Sequence, residues 1–326
     1  MSSIRCIPLA ERAKWELALA EIPHVFGHTW GSCHALGLDG GGEPMLCAAE
    51  GEGERVACPL VERPIEGRLD VATPYGFSGL TGTGPWPDFA AEWWRFARER
   101  GYVAGYLAVN PLFGDETYAD PEAVTVANET YVIDLRDGVE AAWSRLSTNR
   151  RRQLREWRRE DYEVDGEGLA EFFVEQYPLA MERKEAAARH RFGPTTLAAL
   201  CELPSTFLVG ARANGHVESV SLFGFTPHAG DFIFNAALPD CAHHSVPLIW
   251  TAVHLLVERE VPWFNLGGGM SPGDPLADFK ARFGARPLPM NAVKAVYDQA
   301  AYEDLCRRHG ADPDDRDGFF PAYRHV

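Results

Sequence analysis

The apolar positions of this chain switch repeatedly between helical and strand-like spacing. Residues 10–21 place Ala13, Leu17 and Ala20 on one helical face and stop before Pro23. Residues 45–49, 55–61 and 69–72 are short apolar runs and read as strands. A helix is predicted over 87–100, with proline near its start and Gly101 just past its end. Strands follow at 102–108 and 130–135. Helical spacing then covers 139–160, 169–189 and 194–203. Three strands come next, 206–211, 217–225 and 231–237, with Asn214-Gly215 as a tight turn between the first two. An amphipathic helix over 246–260 leads into a strand at 263–266, and the chain closes on a strand at 290–297 and a helix at 300–308. Helices alternating with hairpin-like strands predict a mixed α/β fold of two units, joined over 139–159. No internal repeat is visible in the sequence.

One stretch stands out chemically. Trp263-Phe264-Asn265-Leu266 runs into Gly267-Gly268-Gly269, followed by Asp274, Leu276, Phe279-Lys280 and Phe283-Gly284. It reads as a buried strand, a glycine loop through which backbone can pass close to a ligand, and a short helix with one lysine. The chain has only four lysines, Lys14, Lys184, Lys280 and Lys294, so Lys280 is not filler from a lysine-rich composition.

Composition narrows the classes. The 326 residues suffice for two domains. No apolar run approaches the roughly 18 residues of a membrane span, and no apolar signal region follows Met1-Ser2-Ser3-Ile4-Arg5. Seven scattered cysteines without a C-x-x-C pair suggest free thiols in a reducing cytosol, and neither a disulfide framework nor a zinc site. The net charge is −16, yet the window 145–159 carries +6 through Arg145, Arg150, Arg151, Arg152, Arg155, Arg158 and Arg159. That stripe is either a solvated helix face or a local hold for phosphates. His243-His244 are adjacent on what reads as a helix start and so point apart, which argues against a metal. Ser245 reads as the helix N-cap.

The order of these motifs resembles the FemABX family of aminoacyl-tRNA-dependent transferases, built on paired GNAT-like folds. Thr73-Pro74-Tyr75-Gly76-Phe77-Ser78-Gly79 resembles the family's PYGYGG loop. Tyr131-Val132-Ile133-Asp134-Leu135 with 150–160 resembles its "idL … R-x-x-i-r-r-a" segment. Tyr177, Met181, Arg183 and His190-Arg191-Phe192 resemble its Y-x-x-x-M-x-R helix and the aromatic residue after it. The glycine loop with Asp274, Leu276, Phe279-Lys280 and Phe283 resembles its "lGGG … D-x-L-x-x-F-K-x-x-F" signature, and Phe319-Phe320-Pro321-Ala322-Tyr323-Arg324 resembles a tail of bacterial relatives. The likeness spans most of the chain. It implies two GNAT-like domains of mostly antiparallel sheet flanked by helices: 1–140, completed by 298–326, and 141–297, which carries the signature.

The same resemblance implies amide or peptide bond formation from aminoacyl-tRNA as co-substrate, with no resident cofactor and no metal. Lys280 and Phe279 take the catalytic positions. Tyr75, Tyr177, Arg183, Arg191, Gly267, Gly268, Gly269 and Asp274 take substrate-binding ones, and Arg150, Arg151, Arg152, Arg155, Arg158 and Arg159 face the tRNA. Bland alternatives remain open: Lys280 paired with Asp274 or Asp278 at the surface, Phe279 in the core, Arg183 and Arg191 in ordinary ion pairs, Tyr75 as a packed turn aromatic, and Tyr177 in the core. Two departures matter. The chain is too short for a long coiled-coil arm, and Phe26-Gly27-His28-Thr29-Trp30-Gly31 lacks the lysine that meets a cell-wall precursor's diphosphate. A small amine or peptide acceptor in specialised metabolism, such as antibiotic biosynthesis, fits better. An acyl-CoA-dependent N-acyltransferase is the second reading, weakened because residues 239–245 lack the glycines of the usual Q/R-x-x-G-x-G/A pyrophosphate loop. A non-catalytic GNAT-fold binding module is the third.

Overall fold

The computed structural model describes residues 4–40, 42–269, 271, 273–315 and 318–325. The start read for a signal region, residues 1–3, lies outside the described residues. The chain forms two compact units, Met1–Ala127 with Pro289–Val326, and Asn128–Leu288.

The first unit runs β1 (Arg5–Pro8), α1 (Arg12–Leu19), α2 (Trp30–Gly37), β2 (Pro44–Glu50), β3 (Arg55–Ile65), β4 (Arg68–Ala72), β5 (Thr81–Gly82), α3 (Phe89–Glu99) and β6 (Tyr102–Ala108). The second is entered along β7 (Val124–Asp134). It continues through α4 (Gly138–Arg145), α5 (Thr148–Gln153), β8 (Tyr162–Val164), α6 (Leu169–Arg183), α7 (Pro194–Cys201), β9 (Thr206–Ala213), β10 (His216–Phe225), β11 (Gly230–Ala237), α8 (Ser245–Glu258), β12 (Trp263–Gly268) and α9 (Pro275–Ala281). The chain then returns to the first unit by β13 (Arg286–Val296) and α10 (Gln299–His309).

Both units use one plan that the sequence hides. A strand, two helices, three antiparallel strands, a helix and a parallel strand recur as β1-α1-α2-β2-β3-β4-α3-β6 and as β8-α6-α7-β9-β10-β11-α8-β12, with only the short β5 added in the first. In each, the helix between the last two strands supplies the long connection that a parallel pair needs. α3 buries Phe89, Trp93 and Ala97 on one four-residue stripe. α8 buries Val246, Leu248, Ile249, Trp250, Thr251, Ala252, Val253, Leu255 and Leu256. That is nearly its whole circumference, so it is a central core helix and not the amphipathic surface helix its sequence suggested. Phe207 and Phe223 stack at 5.2 Å beneath it, with Phe264 edge-on to Phe223 at 5.9 Å.

Three expectations are corrected. The helix over 139–160 is two short helices, because Leu146 leaves the helical conformation and the Ser147 hydroxyl caps a new start by accepting from Arg150 N at 3.3 Å. The predicted helix over 169–189 ends at Arg183. The cysteines are not all free: Cys6 faces Cys47 across the β1–β2 ladder and the two form a disulfide, while Cys33, Cys58, Cys201, Cys241 and Cys306 remain thiols. Forty-one residues of separation concealed that register, and the reducing-compartment argument from unpaired thiols loses its support. Among the described residues, no helix is long and apolar enough to cross a membrane.

In the first unit the tail is tied to the sheet by a buried carboxylate. Asp70 of β4 is fully buried and accepts from Arg63 Nε at 2.6 Å, Arg324 Nε at 2.5 Å and Tyr323 OH at 3.0 Å. Arg324 also donates to the carbonyls of Arg63 and Pro64.

Candidate active site

The site of the second unit starts where its parallel pair comes apart. Among the described residues β11 and β12 pair only at Gly230↔Phe264 and Asp231↔Asn265, the first two residues of β11 against the second and third of β12, and then part. The Asn265 side chain sits at the fork. Its Nδ2 donates to Asp231 Oδ1 at 3.1 Å, and its Oδ1 accepts from Thr130 Oγ1 and from Gly267 N at 2.8 Å. All three side chains are buried, so each bond replaces lost hydration. The turn onto Asn265 requires φ +77° at Gly267. At Gly268 a side chain is excluded outright, because a Cβ would lie 2.4 Å from Glu129 O. Gly269 O accepts from Asn128 Nδ2 at 2.8 Å. The three glycines thus carry β12 past β7 and out of the fork. Asp231, Asn265 and Thr130 were not among the residues singled out; a polar residue inside the otherwise apolar strand 263–266 was the available signal.

α9 follows, capped by Asp274, which accepts from Ala277 N at 2.7 Å and Ser271 N at 3.1 Å. Asp274 is therefore an N-cap. Lys280 is buried, 6% exposed, with Nζ donating to Gly268 O at 2.6 Å on the diverging end of β12. Burial pulls its pKa down to about 8, opposed by the charge of Asp274. The surface ion-pair alternative fails: Asp278 pairs instead with Arg282 at 2.6 Å.

Arg150 is the largest surprise of the arginine stripe. It is 3% exposed, donates through Nη2 to Phe279 O at 2.9 Å, and lies over the rings of Phe279 and Phe283 at 4.2 and 4.5 Å. Burial lowers its pKa to about 10. A cation on a carbonyl in the last turn of α9 complements the helix dipole. Arg150 is thus a strut for the helix that carries Lys280, not part of an exposed phosphate-binding face. Arg150→Ala removes two charged hydrogen bonds, to Phe279 O and Gln153 Oε1, and two cation–π contacts, about 2–4 kcal/mol of stability. A lowered midpoint of chemical unfolding is expected, with reduced turnover because α9 loses its support.

The rest of the stripe is dispersed. Arg152, Arg155 and Arg158 are exposed, while Arg151 and Arg159 are half-buried and donate to Ser144 O and Tyr162 O. Only Arg150, Arg151 and Arg152 lie on α5, so the stripe is not one helical face. Tyr177 is buried and donates to His190 O at 2.8 Å, fixing the segment after α6. Arg183 and Arg191 are exposed and donate to Ala237 O and Ala186 O. Phe279 is half-buried between Arg150 and Phe283. In the first unit, Tyr75 is exposed on a loop otherwise pinned by His28 Nε2 on Gly79 O at 2.9 Å and Asn110 Nδ2 on Phe77 O at 2.7 Å.

The turn from β11 to α8 also departs from expectation. His244, not Ser245, occupies the N-cap position, without a side-chain cap. His243 and His244 belong to the 3₁₀ turn Ala242–His244, not to α8, and their rings lie 4.1 Å apart instead of diverging. The argument from helical geometry against a shared ligand therefore fails here.

Comparison with known proteins locates this architecture. No protein-family model matches the sequence, and no curated protein matches it. Among solved structures, the chain is similar to FemX, with a TM-score of 0.65 at 12% identity over 90% of this chain and 97% of that one. It is also similar to the C-terminal DUF2156 domain of a putative lysylphosphatidylglycerol synthetase from Agrobacterium fabrum, with a TM-score of 0.53 at 15% identity over 91% and 97%. L-PGS from Bacillus licheniformis aligns with a TM-score of 0.51 at 13% identity over 86% and 91%. Identities this low speak for the fold alone, and on that ground the chain has a FemABX-like, GNAT-like fold.

Proposed function

We propose that this chain is an aminoacyltransferase that moves an amino acid from aminoacyl-tRNA onto the amine of a small molecule or peptide. The observation that carries it is Lys280, a buried ammonium on the open end of a forked parallel pair. In this reading the acceptor amine attacks the aminoacyl ester carbonyl. The new C–N bond forms, the ester C–O bond breaks, and the proton lost by the amine leaves with the tRNA 3′-oxygen or to solvent. The Lys280 cation faces the charge that develops on the carbonyl oxygen or leaving oxygen, the position where fixed electrostatic help counts most. Asn265 and the glycine turn hold the β12 end to which Nζ is bonded. The fold shared with FemX supports the reading, as does a neighbour that by name is a domain of a putative lysylphosphatidylglycerol synthetase. A tRNA donor places the reaction in the cytosol.

The turn before α8 supports tRNA over acyl-CoA. A pyrophosphate is drawn to a helix start lined with open amides. Here the Glu218 carboxylate lies at that start, bonded to His244 at 2.8 Å, and would repel an anion.

The test is to incubate the full chain with bulk charged tRNA and a panel of amines and short peptides, and in parallel with acyl-CoA, reading amide products by mass spectrometry. Products that vanish on RNase treatment and fall steeply with salt are expected. Charge reversal at the exposed Arg152, Arg155 and Arg158 should flatten the salt dependence. Products from acyl-CoA alone would overturn the proposal.

A further inference from the structure

We propose that the turn between β11 and α8 is a binding site for a zinc-type divalent transition metal, with His243, His244 and Glu218 as ligands and water in the fourth position. The ligand atoms of Glu218, His243 and His244 all lie within 4.8 Å of one another. The Glu218 carboxylate already accepts from His244 Nε2 at 2.8 Å. Removing that proton leaves an imidazole nitrogen and a carboxylate facing each other across the space a shared cation would take. His243 Nδ1 lies 3.2 Å from Asp240 O and donates to it, which leaves Nε2 as the ligating nitrogen. Holding one ring nitrogen on a backbone carbonyl is how metal-binding histidines are oriented.

The scaffold is fixed before any metal arrives. Leu238 N donates to Glu218 O at 2.9 Å, tying the turn to β10. Cys241 N reaches Leu238 O and His244 N reaches Cys241 O, each at 3.2 Å. Asp240 adopts φ +66°, a conformation that L residues take only when their surroundings impose it. A tetrahedral zinc centre places neighbouring ligand atoms roughly 3.5 Å apart, so the present spread closes by small side-chain rotations. Two imidazoles and one carboxylate suit zinc or cobalt, whereas calcium and magnesium take oxygen ligands. The side chains of His244 and Glu218 are 15% and 26% exposed, so a cation has access from solvent. Glu218 also sets the charge at the start of α8, but metal binding is read with no acyl donor present, so the failure of this site and that of the proposed reaction are distinguishable.

The full chain, reduced and stripped with chelator, is titrated with Co²⁺ and then Zn²⁺. One equivalent of Co²⁺ per chain is expected, with tetrahedral absorption displaced by zinc. Glu218→Gln and His244→Ala should weaken binding about a hundredfold. Circular dichroism on each variant separates lost ligands from lost fold. No binding at micromolar metal, or binding unchanged in a His243→Ala/His244→Ala double variant, would overturn the site.

Discussion

Lys280→Met is expected to abolish acyl transfer while leaving the fold at least as stable as the parent. The two effects have one cause. An ammonium that is 6% exposed has lost most of its hydration, and its pKa falls from 10.5 to about 8. At neutral pH the folded chain therefore carries a charge it disfavours, at a cost on the order of 3 kcal/mol. Methionine of similar length removes that cost and forfeits one hydrogen bond to Gly268 O. Loss of a preorganised cation from the reacting centre lowers turnover by about a hundredfold to a thousandfold. A residue kept for packing would behave oppositely, losing stability and sparing activity.

The pH dependence fixes the sign. Below pH 8 the folded and unfolded chains both hold the Lys280 proton, and the cost is complete. Between 8 and 10.5 the unfolded chain binds the proton and the folded chain does not, so stability rises with pH. Above 10.5 no cost remains. Urea unfolding from pH 7.5 to 10.5 should show this rise in the parent and not in Lys280→Met. Activity should have a falling limb near pH 8, which Lys280→Arg removes because a guanidinium stays charged. Turnover unchanged in Lys280→Met would remove Lys280 from the chemistry.

Asp70→Ala should produce the largest loss of stability in the first unit. Asp70 is wholly buried and is shared by Arg63, Arg324 and Tyr323. Its removal leaves two guanidinium groups, each 23% exposed, without their carboxylate. Breaking such a cluster from one side costs about 3–5 kcal/mol, because the partners stay desolvated. The Asp70→Asn variant keeps an acceptor and the shape, and should lose less. The tail is the second readout. Once Arg324 and Tyr323 lose their anchor, the segment around the exposed Phe319 should become the first site of limited proteolysis. An unfolding midpoint and cleavage pattern like the parent's would show that the cluster is dispensable.

Much of this architecture was legible because helices and strands of ordinary length write their period into the sequence. The Asn214-Gly215 turn appears as read, with φ +51° and +81°, and the strand, glycine loop and lysine helix from Trp263 to Lys280 stand where their spacing put them. Short elements escaped. β1 and β8 have four and three residues, too few to show alternation. α2 begins at Trp30 in a stretch without a clean apolar stripe. Long-range partners escaped for a different reason. Arg150 reads as one more surface arginine until Phe279, 129 residues away, is brought onto it. The cysteine pairing and the joined histidine rings likewise depend on a register and a 3₁₀ turn that no local pattern encodes.

The repeated plan of the two units ends differently in each, in whether the chain covers its own parted strand edge. In the first unit, the stretch after β4 continues beside β6: Thr73 N bonds to Tyr106 O, Leu80 N to Ala108 O, and Asn110 N to Leu80 O. There the protein acts as its own guest, and the strand edge that the plan would leave bare is taken up by the chain itself. In the second unit the corresponding edge past Asp231 and Asn265 has no such occupant strand among the described residues. Of two copies of one design, the first has thus been converted from host to framework by its own chain.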